Sequence, residues 1–422
     1  MAAASRPATA IAWVDYMGAQ DDQVRWAHTM RGYQRHSTGM DNNPQADEAK
    51  QNSVPLGSGV GTVIIPVGAL SFPGQADSVQ NYFNRVESDQ GRAWGDLLRK
   101  QTRTMASRLS GHQIYWQVSN EINSRKFGQN VARFGGAGSG SFALNRPELI
   151  GVYAEKVLAP ASAAIRGAAE SGGPKPKIVI ATIAYAAQQD TRDWLLKFLD
   201  YQLKGTLVPS LKGRTVASLG DVVGIHYLLS RDDGDWQKDL GNLYRQVVDV
   251  RHMQGLWLTE EVGLVYARNG MGGAIALKDW ARFMSWVSVN GYTPEQTRMN
   301  LWGWQLGPDG SRGSEAMDYL YSQIGASKVK VIGDSAYTQA SFGQLFAFSV
   351  DKGGSLVIAV GDGHSGRSDA KLPAGAAGKD VSCRLFTKGG SHPAACTAVA
   401  GSLHSDALAG LGENDVLVAV MK

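Results

Sequence analysis

Cysteine is almost missing from this chain: Cys383 and Cys396 are the only two among 422 residues. So few thiols exclude a disulfide-built scaffold, and their 13-residue spacing fits no zinc motif. The eight histidines contain no HExxH. Two readings of the cysteine pair stand, a local disulfide in an exported protein or two unrelated buried thiols. Long apolar runs are missing as well: none reaches the roughly 18 to 20 residues of a membrane span. Charge of one sign is also scarce. Lys and Arg total 42 against 38 Asp and Glu, a net of +4, and no basic run argues for nucleic acid. The stretch 135–140, Gly-Gly-Ala-Gly-Ser-Gly, does not directly follow a strand, so it reads as a surface loop and not a phosphate cradle. Neither a cofactor nor a metal is therefore expected. Met1 to Ser5 carry no basic or apolar leader region; a leader already removed would make the protein secreted or periplasmic.

What is present is apolar and aromatic. Apolar residues make up 43% and charged ones 19%, the balance of a globular protein. Eleven Trp and fourteen Tyr supply flat faces that suit a core and equally the apolar faces of sugar rings. Strand-like runs occur at 9–16, 61–67, 114–118, 177–183, 221–227, 256–260 and 299–304. Helical spacing separates them: a long stretch over 79–109 with a break near Gly91, 147–169 bending at Pro160, 193–204, 235–253, around 275–287 and 315–324. This alternation predicts α/β architecture, and the count suits a (β/α)8 TIM barrel better than a doubly wound sheet without a nucleotide fingerprint. After about residue 326 the segments 342–350, 355–361, 381–387 and 415–421 are short, alternating and need no helices between them. The expected organisation is a catalytic barrel over 1–325 and a small antiparallel β-sandwich over 326–422.

The chain turns on Ile114-Tyr-Trp-Gln-Val-Ser-Asn120-Glu121, a strand-forming run that ends in a carboxylate. Leu256-Trp-Leu-Thr259-Glu260 repeats the design 139 residues later. In barrels of this kind, catalytic groups stand at the C-terminal ends of strands. Two carboxyl groups are what glycosidic hydrolysis needs: one protonates the leaving oxygen, the other attacks the anomeric carbon or activates water. Glu261 follows Glu260 directly, and a one-residue error in the strand end would exchange their roles; the Thr-Glu order favours Glu260.

Asn120-Glu121, His226-Tyr227, Thr259-Glu260 and a Trp on the last strand, in that order, resemble glycoside hydrolase clan A. With the C-terminal β domain, the chain is most similar to family 39. The resemblance covers about residue 60 to the C-terminus. It implies a retaining enzyme acting on a polysaccharide or oligosaccharide by double displacement, with Glu121 as acid/base and Glu260 as nucleophile. Asn120 would bond the sugar 2-hydroxyl. One of His226 and Tyr227 would hold the nucleophile, since side chains alternate along a strand. Trp302 and Trp304 share strand parity, and Trp304 is the expected sugar platform. The pattern requires three strands before the Asn-Glu strand; two are plain, at 9–16 and 61–67, and the third is doubtful near Val24.

Two other readings share these residues. One is a non-catalytic carbohydrate-binding protein on a decayed barrel, against which the retention of both glutamates argues. The other is a transglycosylase, which differs only in whether water or a sugar hydroxyl takes the intermediate.

Overall fold

The computed structural model describes residues 12–13, 31–35, 59–67, 89–118, 122–123, 148–169, 175–184, 186–227, 229, 235–261, 272–293 and 295–301, and most of 316–422. The chain divides into two compact units. The first is Ala12–Tyr227 with Lys238–Glu260; the second is Glu261–Lys422 with Leu228–Gln237 and Met1–Ile11. The secondary structure changes character near residue 326, whereas the boundary between the compact units falls at 261.

Seven strands belong to the first unit, the last of them up to Glu260: β1 (Ala12–Trp13), β2 (Arg31–Arg35), β3 (Gly59–Val67), β4 (Gln113–Val118), β5 (Lys177–Ile183), β6 (Val222–Ile225) and β7 (Gly255–Glu261). β2 to β7 pair in chain order and every pairing is parallel. β1 lies against β2. Sequential parallel strands with helical crossovers are the winding of a barrel and not of a doubly wound sheet, whose order reverses at a switch point. The strand that the sequence left doubtful is therefore Arg31–Arg35. Its Arg-Gly-Tyr-Gln-Arg composition hid it, because strands of a parallel sheet usually read as apolar runs.

The helices depart from expectation in instructive ways. α1 (Asp89–Arg108) includes Gly91 in its first turn, and buries Leu98, Gln101, Thr102 and Met105 along one face. Residues 79–86 lie outside the described residues. α2 (148–167) absorbs Pro160 through a π-turn at Ala154–Leu158, just ahead of it. Proline removes a donor and crowds the carbonyl four residues back, and a π-turn re-registers the bonds at that point. α3 spans Gln189–Asp200, four residues earlier than expected, because extended backbone at Gln188 and Tyr201 bounds it. α4 (236–250) also ends in a π-turn, Arg245–Val250. At the N-terminal edge of the sheet, Asp221 accepts from Arg166 at 2.6 Å and from the backbone N–H of Ile178 at 2.7 Å, tying α2 to the start of β5.

The second unit contains α5 (Gly272–Asn290), β8 (Met299–Leu301), and the antiparallel strands β9 (Val329–Val331), β10 (Thr338–Ala340), β11 (Gly343–Val350), β12 (Ser355–Gly361), β13 (Asp369–Lys371), β14 (Val381–Thr387), β15 (Gly390–Ala394), β16 (Thr397–Val399), β17 (Ser402–His404) and β18 (Val416–Met421). The larger sheet has the order β10-β11-β12-β18-β14-β15, with β9 paired to β11; β13-β17-β16 form a second sheet. Leu345, Val357, Ala359, Leu417 and Ala419 of the larger sheet share one core with Ala370 and Leu403 of the smaller, which makes a sandwich. β12 and β18 are buried along their whole length, not on alternate residues, because α5 covers the opposite face. There Trp280 meets Phe348 edge-on at 5.3 Å, and the Ser288 hydroxyl accepts from Val331 N–H at 3.0 Å. Cys383 and Cys396 are disulfide-bonded with Cα atoms 6.1 Å apart, linking β14 to the segment that leads into β16. The fold class is α/β, a (β/α)8 barrel followed by an antiparallel β-sandwich. No described helix is long and apolar enough to cross a membrane.

Candidate active site

The inward face of the barrel strands is set by one residue from each of five neighbours: Ile64, Tyr115, Val179, Val222 and Trp257 form one buried cluster. Tyr115 and Trp257 lie 4.4 Å apart between ring centroids, and the Tyr115 hydroxyl accepts from Gln254 at 3.0 Å. Side chains alternate along a strand, so the next layer toward the C-terminal edge comes two residues later. It holds Gln117 and Thr259, both fully buried, and Gly224. A Cβ on Gly224 would lie 2.7 Å from Thr182 Oγ1 and 3.2 Å from Thr259 Oγ1. The bare glycine thus lets β5 and β7 place hydroxyls close to the β6 backbone.

Above this layer the strand ends are pinned. β5 bulges between Ile180 and Ile183, with Ala181 at φ 66°, and bulges re-aim the residues that follow them. Within the bulge the Thr182 carbonyl accepts from Ile122 N–H at 3.2 Å. Asn123 then bonds both ways to Ala184, donating from Nδ2 to its carbonyl at 2.8 Å and accepting its N–H at 2.7 Å. The two residues after Glu121 are therefore fastened to the end of β5. Sequence reasoning gave Asn123 no role; the available signal was a second Asn two residues beyond the carboxylate. Beyond β6, His226 N–H donates to Ile183 at 2.8 Å, and its carbonyl accepts from Ala186 at 3.1 Å. The extended pairing thus continues past the strand, and the alternation of Val222 and Gly224 leads to His226 and not to Tyr227. Both side chains are buried.

β7 carries Glu260 and Glu261 at its end. Glu261 is fully buried, and one of its carboxylate oxygens accepts the Leu229 N–H at 2.9 Å. The Leu229 carbonyl in turn accepts from the Arg282 guanidinium of α5. Strict alternation from Trp257 and Thr259 leads to Glu261. The Glu260 backbone belongs to the strand, but its side chain lies outside the described residues, as do Asn120, Glu121, Trp302 and Trp304 altogether. Among the described residues no group of three His, Cys, Asp or Glu side chains converges as a metal site would.

No family model matches this chain, and no curated protein matches it. Solved structures resemble it distantly. A xyloglucanase of glycoside hydrolase family 44 from Paenibacillus polymyxa aligns with 86% of this chain and 81% of its own, at 12% identity and a TM-score of 0.48. A conserved exported protein from Bacteroides fragilis aligns over 97% and 94%, at 13% identity and a TM-score of 0.48. The family 51 arabinofuranosidase of Xanthomonas axonopodis pv. citri aligns over 95% and 89%, at 10% identity and a TM-score of 0.46. The class of the fold rests on the strand order given above.

Proposed function

We propose that the chain is a retaining glycoside hydrolase of clan A, similar in its motifs to family 39, which cleaves O-glycosidic bonds of a polysaccharide or oligosaccharide. One observation carries the reading. β4 and β7 belong to the same parallel sheet, and each runs buried toward a glutamate at its C-terminal end. Parallel strands present these ends along one edge, the edge at which barrels of this kind do their chemistry.

Glu121 is the acid/base, following β4 and preceding the residues fastened to β5. It gives its proton to the leaving oxygen and then takes one from the incoming water. Glu260 is the nucleophile that forms the glycosyl-enzyme intermediate. The first step needs the acid protonated and the nucleophile ionised. Asn120 bonds the 2-hydroxyl of the sugar, His226 steadies the nucleophile, and Trp304, which shares strand parity with Trp302, is the aromatic platform. A second reading is favoured by the alternation along β7: Glu261, in step with Trp257 and Thr259, is then the nucleophile. The bond to Leu229 N–H argues instead for a structural duty, so Glu260 stands first.

The disulfide supports a secreted or periplasmic location, since oxidising compartments are where such bonds persist. The test is turnover of nitrophenyl glycosides and plant or bacterial polysaccharides, with the anomer of the first product read by NMR. Retention supports double displacement, and inversion removes it. Glycan binding without turnover would make the chain a carbohydrate-binding protein, and lengthened products would make it a transglycosylase.

A further inference from the structure

The second unit holds a cavity of about 300 Å³, at the small end of ligand-sized sites. It is bounded by α5, the residues around Trp236, and the edge of the larger sheet. Its floor is rich in donors. Lys278 and Arg282, one turn apart on α5, are both more than nine-tenths buried there. The Lys278 ammonium donates to Asn414 Oδ1 at 2.7 Å, and Arg282 donates through Nε and Nη2 to Gln344 Oε1 at 3.3 Å. The Arg282 guanidinium lies 5.8 Å from the centroid of the Trp236 ring. Each amide is thus oriented by its oxygen, and the NH2 ends of Asn414 and Gln344 remain to donate to a ligand. The acceptors sit at the mouth, where Asp362 and Glu413 are exposed. Tyr337, half-buried and braced by Phe346 at 5.8 Å between centroids, adds an aromatic wall.

We infer that this cavity is a second glycan-binding site, accepting one uncharged sugar residue of a longer chain. Sugar hydroxyls donate and accept at once, and the cavity offers fixed donors below and carboxylate acceptors above. The ring's apolar face matches Tyr337. With both cations already held by amide oxygens and two carboxylates at the mouth, the site carries no net positive charge with which to select an acidic sugar. The inference stands apart from the glycosidase reading, since it concerns binding in the second unit and no bond cleavage.

The test uses the full-length protein with cellotetraose, xylotetraose and mannotetraose as neutral probes and tetragalacturonate as the acidic one. Affinities are read by saturation-transfer NMR, beside melting temperature and hydrolysis of nitrophenyl glycosides. At least one neutral probe is expected to bind with a Kd on the order of 1 mM or tighter. Tyr337→Ala and Lys278→Met should weaken that binding about tenfold or more, with nitrophenyl turnover unchanged. Should Lys278→Met fail to fold, Tyr337→Ala and Gln339→Ala decide, because neither residue is buried. Binding lost in these variants supports the site even if the barrel hydrolyses nothing. No neutral probe bound, affinity untouched by the variants, or a preference for tetragalacturonate would overturn it.

Discussion

The buried carboxylate of Glu261 holds the backbone N–H of Leu229 at 2.9 Å, and the Leu229 carbonyl is held in turn by Arg282. One residue thus joins the end of β7 to the segment that follows β6, and beyond it to α5. Its neighbour Glu260 is left as the candidate for chemistry. Glu261→Ala is expected to lower stability by about 1–3 kcal/mol, the cost of stranding a buried donor, measured by urea unfolding. Glu260→Gln should abolish turnover with the melting temperature kept. The opposite pattern, activity surviving in Glu260→Gln and lost in a folded Glu261→Gln, would transfer the nucleophile to Glu261.

Glu121→Ala should act unevenly. A good leaving group needs little protonation, so nitrophenyl glycosides should lose less rate than natural glycosides. Rates of the variant on both kinds of substrate give the answer, and equal losses would remove the acid role.

At Gly224 the barrel interior leaves no room for a side chain. Gly224→Ala would put a methyl 2.7 Å from Thr182 Oγ1 and 3.0 Å from Val179 Cγ1, and both neighbours are fully buried. Overpacking of this kind costs about 1–3 kcal/mol. Thermal unfolding of the variant measures it, and a wild-type melting temperature would show that the β5 bulge yields.

Reducing the disulfide, or replacing both Cys383 and Cys396 by Ser, releases a loop of 13 residues. Chain-entropy reasoning places the loss at about 3 kcal/mol. Unfolding in the presence and absence of a reductant should show the same loss for the wild type and none for the double variant.

Asp415 caps a tight turn, accepting Gly412 N–H at 2.9 Å. Burial raises its pKa, and the Gly412 bond offsets this only in part. A raised carboxyl contributes its stability below the unfolded value of about 3.9 and loses it as pH climbs through the folded value. Asp415→Asn keeps an acceptor for Gly412 without the charge. The variant's melting temperature should therefore gain on the wild type as pH rises from about 4 to 7. A constant difference across that range would detach the residue from the pH dependence.

The legible parts of the fold were those whose composition and burial agree. β3, β5, β12 and β14 are apolar or β-branched runs, and their bounds could be read almost to the residue. β2 could not, because Arg-Gly-Tyr-Gln-Arg carries no apolar run, and pairing with β3 is what makes it a strand. Nor could β13, β16 and β17, whose three residues are too few to show a period. At the candidate site Glu260 and Glu261 were legible as residue types at the end of β7, and Glu121 lies outside the described residues. Asn123 and Glu261 were not legible in their roles, since a hydrogen bond to the end of another strand leaves no periodicity in either segment.

Helix α5 is buried along nearly its whole length, and its cover includes β9 and β11 of the sandwich. By sequence it belongs to the barrel's repeating pattern; by packing it is the spine of the C-terminal sheets. A chain ended at residue 325 would leave Trp280 without Phe348, Lys278 without Asn414 and Arg282 without Gln344. An apolar helix would be laid bare, with two cations each deprived of an amide acceptor. The sandwich is therefore no detachable appendage. Evolution could lengthen its loops or alter its surface, but could not exchange it as a cassette without rewriting the helix that follows β7.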